Sequence, residues 1–71
     1  MGWKYSYEKE RWELIDDLEI VATIKIEEFD YYAYTIGKYR KCDFFNTLWH
    51  AKQWVEELYL TNKNGGVKND E

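Results

Sequence analysis

The sequence predicts an α+β fold: an antiparallel three- to four-stranded meander packed on one C-terminal α-helix, in the order β-β-β-α. Three observations predict it. Apolar residues recur with period two between residues 12 and 36. They change to helical spacing after residue 47. The segments that separate the runs are short and rich in turn formers, so consecutive strands pair as neighbours. At 71 residues the chain makes one domain near the lower size limit for independent folding. That domain is expected over 1–60, followed by a disordered tail over 61–71.

Each element has its own signal. Trp3, Tyr5 and Tyr7 alternate with Lys4 and Ser6, which suggests an extra edge strand. A helix over Glu8 to Leu18 competes, since Trp12, Ile15 and Leu18 form a stripe. The strand is preferred because a turn and another strand follow so closely. Trp12-Glu13-Leu14-Ile15 reads as a strand, and Asp16-Asp17-Leu18-Glu19 as its turn. Ile20, Ala22, Ile24 and Ile26 then alternate with Val21, Thr23, Lys25 and Glu27, the pattern of a half-buried strand. Glu28-Phe29-Asp30 turns the chain into Tyr31-Tyr32-Ala33-Tyr34-Thr35-Ile36, a strand rich in aromatic and β-branched residues. Gly37-Lys38 closes it, and Tyr39 to Cys42 extends as a short return strand.

The helix begins after Asn46 or Thr47, whose short side-chain oxygen takes a free backbone N–H. Leu48, Ala51, Val55 and Leu58 share one face, flanked by Trp54 and Tyr59. Trp49 lies well off that stripe. Phe44 and Phe45 are expected to pack over the first turn as a staple. Beyond Thr61 the apolar periodicity ends, and two of the chain's four glycines, Gly65 and Gly66, fall there.

Composition narrows the function classes. Hydrophobic residues are 45% and charged residues 34%, a soluble globular balance rather than a disordered one. No apolar run approaches the ~18 residues of a membrane span. Met1-Gly2-Trp3-Lys4-Tyr5 lacks the apolar stretch of a secretion signal. A cytoplasmic location is expected, in the host cell if the chain is phage-encoded. The single cysteine, Cys42, excludes an internal disulfide framework.

No catalytic residue, cofactor or metal site is expected. His50 has Trp54, not a ligand, at i+4, and nothing orients a Cys42–His50 pair. Cys42 is expected to be small and partly buried. The acid pairs Asp16-Asp17 and Glu27-Glu28 lack the loop spacing of a calcium site. Gly65-Gly66 opens no helix, so it is no phosphate loop.

Two features point to binding. Aromatic residues are 20% of the chain, more than one thin core accommodates. The charge is also uneven. Residues 1–30 net −5 and residues 31–71 net +1, with one basic cluster at Lys38-Tyr39-Arg40-Lys41. A sheet covered by one helix keeps an open face, expected to carry Ile15, Val21 and the outward members of Tyr31, Tyr32 and Tyr34. The acidic strands favour a basic protein partner over nucleic acid.

The second half carries a resemblance. Tyr32-Ala33-Tyr34, Gly37-Lys38-Tyr39-Arg40-Lys41 and Phe44-Phe45-Asn46-Thr47-Leu48-Trp49-His50-Ala51-Lys52-Gln53-Trp54 resemble the arm-site DNA-binding domain of phage-type tyrosine integrases. The likeness covers residues 12–58 and extends to small orphan proteins of phages and prophages. Phe45, Thr47, Ala51 and Trp54 match the family's helix pattern. The resemblance implies a three-stranded sheet, a C-terminal helix, and DNA reading by basic and polar sheet residues. Glu13, Asp16, Glu19 and Glu27 depart from that chemistry.

The leading expectation is a non-enzymatic protein-binding module of phage or mobile-element type. It would inhibit a basic bacterial host or defence protein, as anti-CRISPR and other anti-defence proteins do. Tyr31, Tyr32, Tyr34 and Trp49 would anchor the target. Asp16, Asp17, Glu27 and Glu28 would steer it. Homodimerisation through the open face or an edge strand is a further expectation, and no membrane partner is expected. The alternative is a DNA-binding accessory factor of the integrase-arm type, with Lys38, Arg40 and Lys41 on phosphates. A self-assembling structural subunit is the third reading.

Overall fold

The computed structural model describes residues 1–37 and 40–62. Five strands come first: β1 (Gly2–Ser6), β2 (Arg11–Asp16), β3 (Glu19–Ile26), β4 (Tyr31–Thr35) and β5 (Cys42–Phe45). One helix follows, α1 (Leu48–Leu60). The strands form a single sheet in the order β1-β2-β3-β4-β5, antiparallel throughout. The α+β class and the C-terminal helix are as the periodicity predicts, with five strands instead of three or four.

The hairpins are set by local chemistry. Ser6 Oγ accepts from the Lys9 amide at 3.2 Å and shapes the β1–β2 turn. The β2–β3 loop is two residues, Asp17 (φ +53) and Leu18 (φ +65), the double left-handed conformation that matches strand twist. The Glu27 amide donates to the Asp30 carbonyl at 2.8 Å and closes the β3–β4 turn. Gly37 supplies the positive φ of +117 after β4. The Thr35 amide then donates to the Lys41 carbonyl at 2.9 Å, and the Lys41 amide to Thr35 Oγ1 at 3.0 Å.

The helix seals one face of the sheet. Thr47 caps it, its hydroxyl accepting from the His50 amide at 3.1 Å. Ala51 and Val55 press onto Leu14, Ala22, Ile24 and Ala33, all fully buried. The large ones, Leu14, Ile24 and Val55, together contribute only roughly 5–9 kcal/mol of burial. The half-buried Trp3, Trp12, Tyr31, Phe45 and Trp54 around them therefore matter as much. Polar contacts fix the helix axis: Trp3 Nε1 donates to Glu56 at 2.6 Å, and the Tyr59 hydroxyl to Asp16 at 2.5 Å. The Lys52 ammonium sits 3.7 Å from the Trp12 ring centroid. Among the described residues no helix is long and apolar enough to cross a membrane.

Several local expectations are corrected. Residues 11–16 are strand, so the competing helix over Glu8 to Leu18 does not form. A bulge shifts the β2–β3 register: Leu14 pairs with Ala22, but Ile15 pairs with Ile20. The extra residue is Val21, which packs on the core, while Ile20 crosses to the face of Ile15. The return strand is Cys42–Phe45, not Tyr39 to Cys42. Phe45 meets Trp54 with ring centroids 5.2 Å apart, whereas Phe44 points to the open face and staples nothing. Tyr31 turns inward to the core, because it pairs with Ile26 and Phe45 on the helix side. Cys42 is exposed. Helical backbone continues through Thr61 and Asn62, and the remainder of the expected tail lies outside the described residues.

Candidate functional site

Alternation sends every second strand residue away from α1. Beside the short row Gly2, Ile15, Ile20, two full cross-strand rows line the open face. One runs Ser6, Arg11, Lys25, Tyr32, Phe44; the other runs Lys4, Glu13, Thr23, Tyr34, Cys42. Neighbours in a row are about 5 Å apart across the sheet. The β1–β3 half thus carries three cations, Lys4, Arg11 and Lys25, beside Ile15 and Ile20, and the β4–β5 half is aromatic.

The aromatic half is one continuous surface. Tyr32 lies 5.6 Å from Tyr34 and 4.8 Å from Phe44, centroid to centroid, with tilts of 40° and 44°. Phe44 is 57% exposed. Tyr32, Tyr34, Arg40, Lys41 and Cys42 also border a shallow recess of about 350 Å³. The Tyr32 phenol holds its proton more tightly than an ordinary tyrosine. The first cause is its hydrogen bond to Cys42; partial desolvation and the nearby Cys42 and Tyr34 charges add to it.

The cationic half is formed by Lys4, Arg11 and Lys25, with Glu13 as the one carboxylate. Arg11 Nε meets Glu13 Oε2 at 3.0 Å, so that carboxylate is neutralised within the face. Three cations against one acid net +2, and Arg40 and Lys41 at the rim raise this to +4. On a chain of net −4 this is a segregation of charge. The acids lie elsewhere. Asp16 is on the helix side with Tyr59, Glu56 is with Trp3, and Asp17, Glu27 and Glu28 are exposed in turns. The acidity read along the first thirty residues is therefore not the charge of the open face.

No family model, curated protein or solved structure matches this chain.

The expected site residues divide. Tyr32 and Tyr34 stand together on the open face, and Arg40 and Lys41 border the recess at its edge; Lys38 lies outside the described residues. Tyr31 is drawn into the helix side, and Asp16 is engaged by Tyr59 and by the N-terminal amine at 3.7 Å. Trp49, 65% exposed, sits on α1 beside His50. Sequence reasoning missed Lys4, Arg11, Lys25 and Phe44. Their signal was present: each lies one step from a core residue, Trp3, Trp12, Ile24 and Phe45. Cys42 and His50 occupy opposite faces of the sheet, and the His50 ring is held by the Thr47 hydroxyl at 2.8 Å. Among the described residues, no group of three or more His, Cys, Asp or Glu is placed to hold a metal ion.

Proposed function

We propose that this chain is a non-enzymatic nucleic-acid-binding module that acts through the sheet face opposite α1. The observation that carries this reading is the charge segregation. Lys4, Arg11, Lys25, Arg40 and Lys41 collect around the Tyr32–Tyr34–Phe44 surface of an otherwise acidic protein. Cations supply the sequence-independent attraction to phosphates, and release of counterions makes that attraction steeply salt-dependent. A labelled-oligonucleotide titration tests it. Binding that weakens steeply between about 50 and 200 mM salt, and that is lost when Lys25 and Lys41 are both changed to Glu, is the expected result. Absence of binding at the lower salt overturns it.

A second reading keeps a basic protein as the target, with the chain as an inhibitor of phage type. The observation favouring it lies at the hairpin tips. Leu18 is 97% and Phe29 86% exposed, and they neighbour Asp17 and Glu27, Glu28 and Asp30 respectively. Apolar tips set among carboxylates suit an apolar pocket with a basic rim. A host protein that cross-links to the wild-type chain but not to Phe29→Ala would support it. Equal cross-linking by both would remove Phe29 from any interface.

A further inference from the structure

The rings on the open face say which form of nucleic acid fits it. Phe44 has no hydrogen-bonding atom, so it reads neither a phosphate nor a base edge. What it presents, at 57% exposed and 4.8 Å from Tyr32, is apolar ring surface. In a duplex the base faces are buried in the stack, so such a ring meets only backbone and groove walls. In a single strand they are open, and stacking is sequence-tolerant because every base has one. Arg11, the one arginine within the strands, is drawn back onto Glu13 at 3.0 Å. Lys25 is the direct cross-strand neighbour of Tyr32, so a cation stands one strand spacing from a stacking ring. The Thr23 hydroxyl, fully buried and with no hydrogen-bond partner, lies between Glu13 and Tyr34 in the second row.

We infer that this face takes single-stranded nucleic acid, its bases stacked on Tyr32, Tyr34 and Phe44 and its phosphates on Lys4, Lys25, Arg40 and Lys41. The inference rests on the nucleic-acid reading above and deepens it from the polymer to its unpaired form. Four phosphate contacts on a single strand give a log–log salt slope of roughly −3. Affinity then falls about 50-fold between about 50 and 200 mM salt.

The test is fluorescence anisotropy of the full chain with an end-labelled oligothymidine of about 12 nucleotides and with the same strand annealed to its complement. The single strand is expected to bind at least roughly tenfold more tightly than the duplex. Phe44→Leu keeps apolar bulk and removes the ring. It is expected to weaken single-strand binding roughly 5- to 100-fold and to leave duplex binding unchanged, while Phe44→Trp restores it. Circular dichroism of each variant confirms that the fold is kept. Equal or tighter duplex binding, or a Phe44→Leu chain that holds the single strand as the wild type does, overturns the inference and leaves the broader reading standing. No binding of either form at low salt overturns both.

Discussion

Leu18→Gly should raise the stability of this protein. Leu18 occupies the second position of the two-residue β2–β3 loop with φ +65, beside Asp17 at φ +53. A side chain with a Cβ carries a penalty of roughly 1–2 kcal/mol in that left-handed conformation. The usual compensation would be burial, but Leu18 is 97% exposed, so its removal sacrifices almost no apolar contact. Glycine relieves the strain and returns part of the gain through its freer unfolded chain. The balance is about 1 kcal/mol in favour of the variant, and Asp-Gly is among the sequences that best suit such a loop. For a domain of this size that is a rise in Tm of about 4–8 °C. Thermal unfolding followed by circular dichroism measures it. Leu18→Ala serves as the control: it removes the same side chain but keeps the Cβ, so it should gain little. A Leu18→Gly midpoint equal to or below the wild type would refute the reasoning, by showing that the loop is not strained or that Leu18 packs against something.

Three further outcomes are expected. Thr23→Val removes a buried hydroxyl with no partner while keeping its shape, and should stabilise by about 1 kcal/mol in urea unfolding; destabilisation would show that the hydroxyl is bonded. In a spectrophotometric titration Tyr32 should ionise above the ordinary tyrosine range, and Cys42→Ala should lower it toward that range. Because the folded state holds that proton more tightly, the stabilisation is complete at neutral pH and is lost only as pH rises through the raised value. Thr47→Ala removes the cap of α1 and its contact with the His50 ring, and should cost about 1 kcal/mol in the same urea assay.

What the sequence made legible follows the strength of each local signal. Ile24 and Ala22 on β3, and Ala51 and Val55 on α1, belong to long periodic runs, and all four are fully buried where periodicity puts them. Of the two cap candidates, Asn46 and Thr47, the helix uses Thr47, whose hydroxyl reaches the His50 amide. The failures occur where a single residue changes the phase. Period two reads Ile20 with Ala22, but the bulge at Val21 reverses the parity, and nothing in the residue types there announces a bulge. Phe44 and Phe45 are two adjacent apolar residues, a pattern that periodicity does not resolve. Pairing with Tyr32 and Tyr31 makes them strand and sends their rings to opposite faces. Tyr31, Tyr32 and Tyr34 could be sorted only after β5 had fixed which side α1 covers.

The same parity explains how an acidic chain acquires a cationic face. Linear charge counting averages over both sides of a sheet, whereas a partner meets one side. In β1, β2 and β3 the residues claimed by the core are Trp3, Trp12 and Ile24. The next residue along, or the one before, is Lys4, Arg11 or Lys25, and alternation must turn it outward. Most acids of the first half escape this sorting because they sit at turns and strand ends, where alternation no longer assigns a side: Glu8, Glu10, Asp17, Glu27 and Glu28. Glu13 is the mid-strand exception, and Arg11 neutralises it. The helix-side cation Lys52 is committed to the rings of Trp12 and Trp3. Burial of the core residues thus fixes the electrostatics of the opposite surface. Reversing Lys4 or Lys25 would change what that surface attracts without disturbing what holds the sheet to α1.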